Sequence, residues 1–405
     1  MFAVEKKFAA WVQRNILWMG FIVLLMASLM LRYFLRGFLA GDMEVYLVPW
    51  FQTLKQQGLR AAMHLPNNNY NVAYFCLLLL TSWLPFTEIV CVKLVSIVFD
   101  YLAAVAMAWG VLQLLPKEDE NRKWIAAGTF LGTVLLPIPL ANSAVWGQCD
   151  VIYTFFLLMC LVLLLKEKYP PAFTMFALAL SFKLQAIFFL PVLVLLYFVK
   201  KKFSALHFLQ IPVFVFLFGL IGRNKGDSIF YGFTVYLNQT QDYKRLYVDY
   251  SNIFTAFGDG DFDAFAPPAI IFALAVFAAM LVYVLYKKLN IEGDTLVLLA
   301  VWCIMTCTMF LPAMHDRYGF AAELFIWLFF MAKPSLKRFA LAIAINFIPV
   351  VVYVRAFLER GYLEQMTMSL VNVLVYLAVS VATVLYLKRS SCKLGQAGLP
   401  EAACR

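Results

Sequence analysis

Four short polar clusters interrupt an otherwise apolar chain: Gly41-Asp42-Met43-Glu44, Trp146-Gly147-Gln148-Cys149-Asp150, Lys183-Leu184-Gln185 and Met314-His315-Asp316-Arg317-Tyr318. Each ends an apolar run long enough, or nearly long enough, to cross a bilayer. Ionisable groups at that depth are costly without a partner or a water-filled cavity, so these clusters are the first candidates for a functional site. Asp42 and Glu44 stand just beyond the first span. A carboxylate there can take a proton from an attacking hydroxyl, the task of a general base. The same pair also suits the N-terminus of the amphipathic segment Val45–Gln57, where Asp is a favoured cap and acidic residues complement the helix dipole. Asp150 opens the next span and suits a cap as well. With the indole of Trp146, a flexible Gly147 and the amide of Gln148 beside it, the cluster fits a sugar-contacting surface, an aromatic face on the ring and polar groups on the hydroxyls. Asp42, Glu44 and Asp150 are the candidate catalytic carboxylates.

Lys183 lies in mid-hairpin between two short apolar segments, not at a basic helix end from which a lysine simply snorkels. Its ammonium suits a lipid phosphate. Arg317 makes a second cationic point, since a guanidinium presents a fork of donors to phosphate oxygens. His315 and Tyr318 flank it and join Lys183 in the candidate phosphate site. Asp316 either pairs weakly with Arg317 at the surface or, with Trp146, Gln148 and Gln185, takes part in sugar or acceptor contact. Two anionic and two cationic clusters on one membrane face suit one job: holding a phosphosugar, steadying its departing phosphate and deprotonating an incoming hydroxyl.

The elements that position these residues are set by composition. Of 405 residues, 64% are hydrophobic and 14% charged, and the mean hydropathy is +0.82. No soluble domain buries that much apolar surface, so the chain is an all-α polytopic membrane protein. The net charge of +10 resides in short loops, as suits an anionic leaflet and not nucleic acid. The eight cysteines form no CxxC pair; Cys303 and Cys307 share a helix face with no His or carboxylate beside them, which reads as core. No metal site is indicated and no cofactor is called for. No Gly-rich phosphate loop is present, so a nucleotide-sugar site is not visible.

Loops rich in Lys and Arg (Lys117–Lys123, Lys166–Lys168, Lys200–Lys202, Lys287–Lys288, Lys333–Arg338) are placed in the cytoplasm with both termini, which puts all four clusters on the outer face. Asn71–Leu84 is apolar but too short to cross and is read as a re-entrant or juxtamembrane helix of the first outer loop. Pro171–Phe182 and Ala186–Val199 form a hairpin hinged at Lys183. The expectation is about twelve transmembrane helices plus that half-immersed one. They make a single integral membrane domain over 1–405, with a catalytic part at 1–330 and C-terminal helices and a short cytoplasmic tail at 331–405.

The motifs resemble a known family. Val145-Trp146-Gly147-Gln148-Cys149-Asp150 and, some thirty residues on, Ser181-Phe182-Lys183-Leu184-Gln185-Ala186 are similar to the WGQxD and TKPQA pattern of bacterial membrane mannosyltransferases related to the GPI mannosyltransferase II family, in the GT-C class. Met314–Tyr318 resembles their MHERY motif. Gly41-Asp42, Pro49-Trp50 and Asn69-Tyr70-Asn71 resemble their first outer loop, and Lys93 through Asp100 resembles their KLxSxxxD helix. The sequence departs from the pattern at Asp316 in place of Glu, Leu184 in place of Pro, and Val72-Ala73 in place of Pro-Pro. The resemblance implies a GT-C glycosyltransferase fold in the bacterial plasma membrane. It also implies transfer of a mannose-like hexose from a polyprenyl-phosphate carrier to a lipid-, glycan- or protein-linked acceptor on the outer face, with Asp42 as base; the mechanism expected is an inverting displacement. A divalent metal shared by Asp42, Glu44 and Asp150 is a secondary possibility. Two rival classes use the same lipids. A flippase would show inverted repeats and midplane charges, whereas a polysaccharide polymerase or ligase would work from a large basic outer loop, such as 223–266 with Arg223, Lys225, Lys244 and Arg245.

Overall fold

A computed structural model describes residues 2–66, 68–239, 244–258, 260–358 and 363–393. In hydrocarbon every backbone N–H and C=O is satisfied within its own segment, which is why the apolar runs fold as helices. Helix α1 (Ala3–Leu35) leads through a wide π-helical turn, Met43–Leu47, to α2 (Val48–Gln57), α3 (Leu59–Met63) and α4 (Val72–Thr81). Helices α5 (Glu88–Leu114) and α6 (Arg122–Leu135) form a long hairpin, followed by α7 (Pro137–Leu140) and a second wide turn, Ala141–Trp146. Next come α8 (Asp150–Leu165) and the pair α9 (Tyr169–Phe182) and α10 (Leu190–Lys200), which meet around Lys183 and a 3-10 stretch, Leu184–Phe189. The chain continues through α11 (Gln210–Gly222), α12 (Tyr231–Gln239), β1 (Tyr247–Val248), α13 (Phe262–Tyr286) and α14 (Gly293–Phe310). It closes with β2 (Met314–His315), α15 (Phe320–Ala332), α16 (Leu336–Leu358) and α17 (Gln365–Lys393).

Among the described residues, seven helical stretches are long and apolar enough to cross a membrane, eight if the bent pair Arg122–Leu135 and Pro137–Trp146 is one span. Five shorter apolar helices accompany them: Val72–Thr81, Asp150–Leu165, Tyr169–Phe182, Leu184–Lys200 and Phe320–Ala332. At 1.5 Å rise per residue, α4 covers about 15 Å, half the hydrocarbon thickness. It packs against α5, α9 and α11 with Val72 to Phe75 buried. The centre of the molecule is α14, buried on every side from Thr295 to Met309 and flanked by α15 and α17.

A buried ion pair joins α1 to α5. Arg32 of α1 donates from Nε and Nη2 to Asp100 Oδ2 of α5 at 3.1 and 2.8 Å, and from Nη1 to Ser28 Oγ and to the Val134 carbonyl at 2.8 and 2.9 Å. The Ser143 hydroxyl adds a bond to the same carboxylate oxygen at 2.5 Å. An ion pair so enclosed ties α1, α5 and the 134–143 segment together.

Helix α16, beyond the catalytic part expected at 1–330, takes part in the polar centre. The Tyr353 hydroxyl of α16 accepts from Asn142 Nδ2 at 2.8 Å, and its ring stands edge-on to Trp146, centroids 5.2 Å apart. Of the tail expected from Lys388, residues 388–393 continue α17 and the rest lies outside the described residues. On the opposite side α12 crosses α11 at Gly219 and Gly232, where a Cβ on either would come within 2.4–2.5 Å of the other helix's backbone. That close crossing lets Gln239 donate to the Asn69 carbonyl at 2.8 Å and to Asn71 Oδ1 at 2.7 Å.

Candidate functional site

Local backbone features bring the four clusters together. Lys183 is extended (φ −153°, ψ 134°) between α9 and the 3-10 stretch, so the hairpin opens at that residue. Arg317 sits in a compact turn in which Tyr318 N bonds the His315 carbonyl and Phe320 N the Arg317 carbonyl. That turn is docked by the two-residue parallel pairing of β1 with β2, Tyr247 beside Met314 and Val248 beside His315. Gly147 has φ +74°, and a Cβ there would lie 2.4 Å from Met43 Sδ. Only glycine permits both that backbone and so close an approach to the turn that carries Asp42.

Neither carboxylate acts as a helix cap. Helical backbone already runs through Asp42, whose side chain makes no cap bond, and the N-cap of α8 is Cys149, likewise without one. Asp150 is wholly buried and has cations around it instead: Oδ1 accepts from Lys183 Nζ, while Oδ2 accepts from Asn142 Nδ2 at 3.0 Å and lies 3.5 Å from Arg317 Nε. Asp42, with 42% of its side chain exposed, accepts from Gln148 Nε2 at 3.0 Å and lies 3.6 Å from Arg317 Nη1. Gln148 is itself oriented: Tyr70 OH donates to its Oε1 at 2.7 Å, which turns the amide NH2 toward Asp42. Burial, with a further push from Cys149, lifts the Tyr70 phenol well above its usual range, so it stays a donor.

Arg317 is the hub. Its guanidinium lies over Trp146 at 5.3 Å, and Asp42, Asp150 and Asp316 surround it at 3.5–3.6 Å, beyond normal hydrogen-bond length. Its Nε has no hydrogen-bond partner among the described residues. Burial opposes the charge on Asp316, but the His315 hydrogen bond at 3.4 Å and the Arg317 charge outweigh it and hold that carboxyl below its usual range.

Two large cavities open on this cluster. One, of about 880 Å³, runs between the 3-10 stretch with α10 and α13. On α13 it is lined by Phe262, Ala266, Ile270, Ala273 and Phe277, a stripe at helical spacing, and it ends in Lys183, Gln185 and Tyr318. The other, of about 790 Å³, is polar and lined by Asp42, Gln148, Tyr46, Trp50, His64 and Asn68 among others. Asn69, Tyr70, Gln239, His315 and Arg317 border both. A long apolar groove and a polar chamber thus meet at one arginine.

The sequence-predicted residues divide accordingly. Asp42 and Gln148 face the polar chamber, Lys183, Gln185 and Tyr318 the apolar groove, and His315 and Arg317 both. Asp150 lies beneath the cations. Trp146 is buried against Tyr353 and Phe357 and supports Arg317 instead of lining either cavity. Asp316 faces a small third cavity behind the turn. Glu44 is exposed and borders none of these three cavities. Among the described residues, no group of three or more His, Cys, Asp or Glu is placed to hold a metal. Sequence reasoning did not single out Tyr70 or Asn142 as site residues. Tyr70 stood in the Asn69-Tyr70-Asn71 run; Asn142 carried no signal of its own.

The model of glycosyltransferase family 87 matches residues 68–312, a stretch that holds the Trp146–Asp150 and Lys183–Gln185 clusters and stops just short of Met314. Comparison with curated proteins gives no match.

Proposed function

The chain belongs to glycosyltransferase family 87, and from that premise we propose that it transfers a mannose-like hexose from a polyprenyl phosphate to a hydroxyl of a glycan or glycolipid acceptor at the outer face of a bacterial plasma membrane. The observation that carries this reading is Arg317, buried at the seam of an apolar groove and a polar chamber with its contacts too long to occupy its donors. A substrate whose chain is apolar and whose head is a phosphosugar fits such a seam. The carrier chain lies along the α13 stripe, the phosphate between Lys183 and Arg317, and the acceptor in the polar chamber beside Asp42.

In the transfer step the acceptor hydroxyl gives its proton to Asp42 as its oxygen attacks the anomeric carbon. The bond from that carbon to the phosphate oxygen breaks, its electron pair leaves on the phosphate, and the anomeric configuration inverts. Lys183 and Arg317, with His315, take up the charge that grows on the phosphate. Gln148 occupies one oxygen of Asp42 and so orients the other. Asp150 is a positioning residue that holds both cations. A monophosphate leaves, so two cationic side chains do what a divalent ion does for a diphosphate. With the long stretches and four of the short helices crossing and Val72–Thr81 half-immersed, the crossings number about twelve, and both termini are cytoplasmic. A polymerase or ligase working from the 223–266 loop is less well supported, because neither Arg223, which donates to the Asp227 carbonyl, nor Lys244, which pairs with Asp263, borders either large cavity.

The experiment is transfer by the purified protein in nanodiscs from polyprenyl-phosphate mannose to a defined mannoside. Asp42→Asn is expected to lower kcat by about 10²-fold or more while donor binding is kept. Wild-type turnover in that variant excludes Asp42 as base, and transfer from a nucleotide sugar but not from the lipid donor excludes the donor class.

A further inference from the structure

Lys93, in α5, is completely buried and borders neither large cavity. A buried ammonium in a membrane helix is tolerable only when its three protons are taken. Here they are: Nζ donates to the carbonyls of Leu35 at 3.2 Å, Phe38 at 2.6 Å and Ala144 at 2.8 Å. Leu35 closes α1, so the charge also sits at the negative end of that helix.

The three acceptors belong to two separate arms of the chain. Leu35 and Phe38 lead into Asp42, four residues past Phe38; Ala144 leads into Gln148, four residues past Ala144. The arms meet again where Gly147 packs on Met43 with no room for a Cβ, and once more where Gln148 donates to Asp42 at 3.0 Å. Two turns along the same helix, Asp100 grips the same arms through Arg32 and Ser143. Thus α5 sets the spacing of both arms from behind, and the Asp42–Gln148 contact lies at their ends.

We infer that Lys93 is a positioning residue for sugar transfer: it fixes the distance between the two arms and so the placement of Asp42, without touching substrate. This rests on the reading of Asp42 as base. Asp150, which holds the donor cations, is the first residue of α8 and is anchored by that helix and not by Lys93, so loss of Lys93 acts on turnover more than on donor binding. A misplacement of about 1 Å at a reacting group costs up to about 10²-fold.

The test uses the full-length protein in nanodiscs. Lys93→Met removes all three donors; the expected result is a kcat per folded molecule lowered about 10- to 100-fold with KM for the lipid donor within about twofold. Added to Asp42→Asn, it is expected to cost less than about threefold more, because the group it places is already gone. Unchanged kcat, or full multiplication of the two penalties, overturns the proposal. If the Met variant does not fold, Lys93→Gln, with fewer donors for three carbonyls, carries the same comparison. A second readout is independent of catalysis: cross-linking of an Asp42→Cys, Gln148→Cys pair by a short bifunctional thiol reagent, scored against the single-cysteine variants. It is expected to slow at least about tenfold when Lys93 is replaced, as effective concentration falls with arm separation. Wild-type activity in Asp42→Asn defeats the base assignment alone, whereas an unaltered cross-linking rate defeats the role of Lys93.

Discussion

Arg32 and Arg317 are both buried guanidiniums paired with buried aspartates, with 3% and 10% of their side chains exposed, yet they are bonded in opposite ways. Every nitrogen of Arg32 donates within 2.8–3.1 Å to Asp100, Ser28 or the Val134 carbonyl. Arg317 is ringed by three carboxylates at 3.5–3.6 Å, its Nε is unpartnered among the described residues, and it borders two cavities. Burial of charge in a membrane helix bundle therefore does not by itself mark a site. What distinguishes the two is whether the donors are spent inside the protein or left for something that enters.

Replacing each arginine tests that contrast most severely. Arg317→Met is expected to lower transfer by about 10³-fold, as for loss of a preorganised donor to developing charge, with a folded protein remaining by size-exclusion profile. Arg317→Lys retains the charge but not the fork, and about 10²-fold of the loss persists. Arg32→Met is expected to do the reverse. It strands Asp100, costs about 3–5 kcal/mol and appears as lost folded yield and a lower melting temperature, while activity per folded molecule stays near wild type. Joint replacement of Arg32 and Asp100 by apolar residues restores stability. An Arg32 variant that folds normally but is inactive would invert the comparison.

A finer probe is Asp150, which holds Lys183 and Arg317 without facing either large cavity. Asp150→Asn is expected to weaken binding of polyprenyl phosphate, measured by titration calorimetry, about tenfold, the value of one charge-assisted hydrogen bond. Unchanged affinity would mean the cations are aimed without it.

The smallest effect expected is one of pH. Asp316 titrates below its ordinary value of 3.8 because His315 and Arg317 hold it charged against the cost of burial. A carboxyl depressed in the folded state contributes stability above that ordinary value and loses it as pH falls through the lower folded value. The wild-type melting temperature should therefore drop more steeply than that of Asp316→Asn between about pH 5 and about pH 3. Parallel curves would show that the charge on Asp316 does not support the Arg317 turn.

Membrane class, the long spans, the hinge at Lys183 and the four clusters were legible in the amino-acid sequence, because hydropathy over twenty residues and a charge set in an apolar run are local properties. A helix too short to cross was expected from the same reasoning over Asn71–Leu84, and α4 spans Val72–Thr81. The cap readings of Asp42 and Asp150 were equally local, and they failed because the surroundings of both carboxylates are not local. Gln148 reaches Asp42 across 106 positions of sequence, Arg32 reaches Asp100 across 68, and Asn142 reaches Tyr353 across 211. No window of sequence contains such pairs, so no pattern within a window tells a spent arginine from an unspent one, or the tryptophan under a cation from one against a sugar. Residue types bounded the chemistry. Tertiary packing decided which donors are already satisfied, and hydrogen bonding is a saturable, distance-limited interaction whose balance is closed only when distant segments are in place.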